Sequence, residues 1–209
     1  MDNTAVAPAA RPRPAVSRSR LRWIAAKTVI WILCLLPAAS LVWRGFHNGL
    51  GANPVEFITH ATGNWTLRLL LCTLAITPAR RLLKQPQLTR FRRLLGLFAF
   101  FYGCLHFTTW FWLDKSLDPN EMWKDVLKRP FITMGFLGFA AMVPLAVTST
   151  AGWIRRLGGR RWQRLHRLVY LTGAAGVIHY YWLVKSDIWT PVMYGVILVV
   201  LLALRRVPA

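Results

Sequence analysis

The apolar residues of this chain come in long runs. Six stretches, at roughly 23–43, 65–79, 94–113, 131–150, 165–184 and 188–204, are read as membrane crossings, each needing about 20 residues of helix. No water satisfies backbone N–H and C=O groups inside a bilayer, so a spanning segment must be a helix or part of a closed barrel. Uninterrupted runs of this length, without polar alternation, select the helix. The expected fold class is all-α, a polytopic bundle of six transmembrane helices. A hydrophobic fraction of 55% with only 16% charged residues agrees.

A net charge of +20 would point to nucleic acid in a soluble protein, so the position of the charges decides. Arg11, Arg13, Arg18, Arg20, Arg22 and Lys27 precede or open the first stretch. Arg80, Arg81, Lys84, Arg90, Arg92 and Arg93 follow the second. Arg155, Arg156, Arg160, Arg161, Arg164 and Arg167 follow the fourth, and Arg205 and Arg206 the sixth. Glu56, Asp114, Asp118, Glu121, Asp125 and Asp187 all fall in the alternate loops. Basic loops stay in the cytoplasm, which puts both termini inside and the acidic loops outside. The charge pattern is thus spent on topology, and a nucleic-acid partner is not expected. Trimming the first stretch as a signal peptide would break this alternation.

Residues 1–20, rich in Ala, Pro, Arg and Ser, are expected to be a disordered basic cytoplasmic tail, leaving 21–206 as the transmembrane domain. The outer segment from Arg44 to Asn64 carries four glycines and Pro54 and reads as a turn-rich loop. Cys34, Cys72 and Cys104 lie within spans, so no disulfide framework is implied. Most tryptophans sit near membrane edges as an aromatic belt. No GxGxxG or P-loop pattern occurs, so any soluble nucleotide-binding unit is a separate partner.

Ionisable side chains within spans are costly and mark functional sites. Here they are histidines. His106 lies 13 residues beyond Arg93 and His179 lies 12 beyond Arg167, so both stand roughly 18–20 Å from the inner boundary. Two imidazoles at one height on neighbouring helices are what axial ligation of a haem iron from both faces requires. Gly96, Ala99 and Gly103 near the face of His106, and Thr172 and Gly176 near that of His179, leave room for a flat macrocycle. Small residues also serve plain helix packing. With no C-x-x-C-H motif, the haem would be non-covalent, b-type. His166 lies about 20 Å deeper and offers a second haem, a flavin or quinone site, or an interfacial hydrogen bond. Haem propionates need a cation near the outer surface, and Arg68, read as just outside the height of His106, is the candidate. His47 and His60 fall in the first outer loop. A solute transporter would show repeated halves and broken helices, which are not seen, and a bare scaffold would leave the aligned histidines unexplained.

A series of motifs carries a family resemblance over about residues 23–206. They are GLGANPVEFITHATGNW (49–65), TPAR (77–80), RRLLGL (92–97), Leu105-His106, KRPFITMG (128–135), TST (148–150), WQRLHRLVYL (162–171) and IHYYW (178–182). In these the chain resembles the haem-binding membrane subunit of the bacterial protein-methionine-sulfoxide reductase system, within the ferric-reductase-like transmembrane group. The resemblance implies residence in the bacterial inner membrane and electron entry from a cytoplasmic flavin reductase or a membrane quinone. It further implies transfer through haem b, with FMN as a further cofactor, to a periplasmic molybdopterin-containing reductase that repairs oxidised methionines. His106, His166 and His179 match the family's haem-associated histidines, and His60 matches a further family position. Terminal catalysis is not expected from this chain alone, because its outer loops offer no metal-ligand cluster and no nucleophile with a positioned base.

Overall fold

The computed structural model describes residues 18–206. The expected disordered tail falls outside them up to residue 17, and residues 18–20 already form the first turn of a helix. Among the described residues the fold is all-helical, with no strand. The helices are α1 (Arg18–Phe46), α2 (Pro54–Leu82), α3 (Thr89–Thr108), α4 (Pro119–Lys128), α5 (Pro130–Val147), α6 (Ala151–Leu157), α7 (Gly159–Leu165), α8 (Leu168–Leu183) and α9 (Trp189–Arg206). α3 runs on into a π-helical turn over Thr109–Asp114.

The largest departure from the sequence reading is at α2, which starts at Pro54 and makes helix of the segment expected to be a turn-rich loop. The reason is local. Asn53 accepts the Glu56 N–H through Oδ1 at 3.2 Å and returns Nδ2 to the Glu56 carboxylate at 3.0 Å. Pro54 occupies the first helical position, where its missing N–H costs nothing. The turn shrinks to the residues before Asn53, where Asn48 (φ 53°) and Gly51 (φ 79°) take left-handed conformations. The basic loop after α5 folds into two short helices, α6 and α7, hinged at Gly158 with φ 73°.

Among the described residues, three segments are long and apolar enough to cross a membrane by themselves: Arg20–Phe46, Pro86–Asp114 and Pro130–Val147, with Trp189–Arg205 a shorter apolar helix. α2 is long enough, at 29 residues, but carries Glu56, Arg68, Arg80 and Arg81. Large apolar side chains face outward along α1 and α9, among them Leu33, Leu36, Val196 and Val199. A surface of this kind is stable against lipid and a liability in water. The bundle has two chemically distinct ends. Arg80, Arg92, Arg155 and Arg205 mark a basic end, and Glu56, Asp114, Asp125 and Asp187 mark an acidic end.

α2 is central. On one side Leu69 and Leu70 join Cys34 of α1, Phe98, Ala99 and Tyr102 of α3 and Met142 of α5. On the other, Leu67, Leu71 and Leu74 join Tyr194 and Leu198 of α9. Helix hydroxyls are satisfied by their own backbone: Thr62 donates to Ile58 O, Thr66 to Thr62 O and Thr73 to Leu69 O. Tyr102, fully buried, inserts its hydroxyl into the ladder of α1. It accepts from Ala38 N at 3.0 Å and donates to Cys34 O at 2.7 Å, in the turn of α1 that contains Pro37.

Candidate functional site

Two helix pairs, α2 with α3 and α5 with α8, enclose a cavity of about 630 Å³ at the acidic half of the bundle. That volume lies in the range of small-molecule sites, about 300–1,000 Å³. His106 of α3 and His179 of α8 line it from opposite pairs, their ring centres 6.1 Å apart and their planes at 76°. Metal-bound imidazole nitrogens sit about 2.0 Å from the ion, so two imidazoles flanking one ion have ring centres about 6 Å apart.

Each ring is tied from behind. His106 Nδ1–H donates to Thr59 O of α2 at 2.9 Å, and His179 Nδ1–H donates to Phe131 O of α5 at 2.6 Å. A carbonyl only accepts, so these bonds fix the proton on Nδ1 and leave Nε2 of each ring a lone-pair donor. Glycines make the backing close. A Cβ at Gly135 would stand 2.8 Å from His179 Nδ1, and one at Gly63 would stand 3.0 Å from His106 Cε1. Gly103, Gly138 and Gly176 line the same space, with Phe107, Phe136 and Phe139 as an aromatic wall. Of the small residues marked in the sequence, Gly103, Thr172 and Gly176 line the cavity. Gly96 instead packs on Thr73, and Ala99 is buried in the core.

Gly63, Gly135 and the two carbonyls escaped the sequence reading. They act across helices, and the sequence signals them only as small residues in apolar segments. His60 is relocated by the early start of α2: it stands on that helix, not in a loop, and lines the cavity. His47 stacks on Trp43 and donates from Nδ1 to Trp43 O at 2.8 Å, outside the cavity.

Arg68 is not at the height expected. His106 meets α2 at Thr59 and Gly63, so Arg68 lies five residues further along the helix, about 7.5 Å toward the basic end. It does not line the cavity. Its Nε donates to Tyr194 Oη at 2.8 Å and its guanidinium lies over the Trp65 ring. The misplacement follows from starting α2 eleven residues late.

His166 is also outside the cavity, in the turn between α7 and α8. It stacks on Trp162, with ring centres 3.9 Å apart, and its Nε2 is 3.0 Å from Thr148 Oγ1. The Thr148 hydroxyl proton is committed to Pro144 O at 2.6 Å, so His166 Nε2–H donates to the hydroxyl and Nδ1 is its free nitrogen. Burial, and then the charge of Arg92, hold this imidazole below its ordinary pKa. Among the described residues no group of three His, Cys, Asp or Glu side chains could hold a metal ion.

An all-helical, lipid-facing bundle with two opposed, backbone-anchored imidazoles defines a class, and residues 62–177 match the family described as ferric reductase like transmembrane component. Curated relatives extend the match over most of the chain. The protein-methionine-sulfoxide reductase heme-binding subunit MsrQ of Herminiimonas arsenicoxydans is 55% identical over 86% of this chain and 83% of its own length. The subunit of the same name from Caulobacter vibrioides is 51% identical over 94% and 93%, and that from Ralstonia nicotianae 54% over 87% and 84%. The chain belongs to this family of subunits, within the ferric-reductase-like transmembrane group.

Proposed function

We propose that this protein is a transmembrane electron-transfer subunit that holds haem b between His106 and His179. The observation that carries the reading is the opposed pair of rings, 6.1 Å apart, each with Nδ1 donating to the backbone of a neighbouring helix. Both rings are thereby fixed as neutral ligands with Nε2 available. Bound there, haem supplies a one-electron Fe(III)/Fe(II) couple. The protein's part is to fix the rings and keep water out with Phe107, Phe136 and Phe139.

The relatives are named as heme-binding subunits of a methionine-sulfoxide reductase, which supports a catalytic partner on another chain. We assign that partner as a periplasmic molybdopterin reductase at the acidic end. The donor, a cytoplasmic flavin reductase or a membrane quinone, then meets the basic end, in a bacterial inner membrane crossed six times with both termini inside. FMN, or a second haem, belongs at the basic end, where His166 offers Nδ1.

The test is the dithionite-reduced minus oxidised spectrum of the purified full-length protein, with haem counted per chain. The wild type should give a b-type signal, His106→Ala and His179→Ala should each lose that haem, and His166→Ala should retain it. A haem-free wild type, or a His106→Ala variant with undiminished bis-imidazole haem, would overturn the assignment.

A further inference from the structure

The cavity opens at the acidic end, where Asn53, Glu56, Asp114 and Arg129 line it. Among the described residues that line the cavity, Arg129 is the only Lys or Arg. Its Nε lies 3.1 Å from Asp125 Oδ1, while Asp125 Oδ2 lies 2.7 Å from Lys115 Nζ and Lys115 lies 3.1 Å from Asp114 Oδ2. Asp125 is shared between two cations. It therefore orients the guanidinium without fully neutralising it, and Arg129 keeps N–H donors beyond Nε. The side chain is 53% exposed, so it stands at the rim and not in the packed wall.

The backbone explains why a cation stands there. Arg129 both ends α4 and caps α5, extended at φ −116° and ψ 101° as the following proline requires. Two residues on, Phe131 O accepts the His179 Nδ1 proton. One three-residue corner thus sets an imidazole on the cavity wall and a cation at its mouth.

A b-type porphyrin carries two carboxylates on one edge, and an apolar cavity cannot bury them unpaired. Glu56 and Asp114 at the same mouth repel a carboxylate. We infer that Arg129 is the residue that holds the propionate edge of a porphyrin seated between His106 and His179. This rests on the haem reading above and replaces the role first read for Arg68.

The experiment compares two ligands on the haem-depleted full-length protein: haem b, and haem dimethyl ester, whose carboxylates are esterified. The wild type should prefer haem b. Arg129→Gln should weaken haem b by at least about tenfold while leaving the diester as it was, because one charge-assisted hydrogen bond is lost. Arg129→Lys should recover part of the preference. Equal haem affinity in Arg129→Gln and wild type would overturn the inference, as would equal loss of both ligands, which would make the residue only a brace for the corner. A wild type that binds neither ligand would instead sink the haem reading itself, and the inference with it.

Discussion

A methyl group is too much at residue 135. A Cβ there would approach His179 Nδ1 to 2.8 Å, closer than such contacts occur, and it would meet a ring that Phe131 O already holds in place. Gly135→Ala should therefore push the imidazole off its anchor and lower haem content severalfold. Gly63→Ala, at 3.0 Å from His106 Cε1, should do so less. Haem per chain and the low-spin character of the spectrum measure both, and full haem with an unchanged spectrum in Gly135→Ala would count against the close backing. The shared level of His106 and His179 was legible in the sequence, because depth along a straight helix is simple arithmetic. Their glycine and carbonyl partners were not, since which backbone stands behind a ring is decided between helices.

At the scale of elements, α1 has a largely lipid-facing surface, and Tyr102 ties its backbone to the interior. Removing the Tyr102 hydroxyl takes one hydrogen-bond partner from Ala38 N and one from Cys34 O. Tyr102→Phe should cost about 1–3 kcal/mol. It should appear as a lower thermal midpoint in detergent while the haem spectrum stays as in the wild type. An unchanged midpoint would mean that the two bonds contribute nothing net. The start of α2 shows where element reading falters. Glycines, Glu56 and His60 diluted the apolar signal, yet Asn53-Pro54 followed by Glu56 is a helix start written in capping chemistry. Hydropathy alone starts the helix at residue 65, which puts Arg68 too near the level of His106, whereas the cap starts it at Pro54.

For the whole molecule, the all-helical class and the alternation of charge were readable from run lengths and loops alone. The pairing of helices was not, because apolar faces in lipid carry little record of their neighbours. That pairing divides the site: α2 with α3 carries His106 and its anchor, and α5 with α8 carries His179 and its anchor. Each pair is half a site, complete in itself. A chain cut in the turn after Asp114 should give two pieces that each keep one tied imidazole, and that copurify better when haem is supplied during expression. Copurification indifferent to haem supply would show that helix packing alone joins them. An iron held by both halves would clip residues 106 and 179, closing a loop of 73 residues (179 − 106). A cross-link of that span is worth about 4 kcal/mol to a chain free in solution, and less to one already confined by a bilayer. The cofactor would then serve as a fastener as well as a conductor, and cells short of haem should hold less of this chain, not the same amount of it without haem.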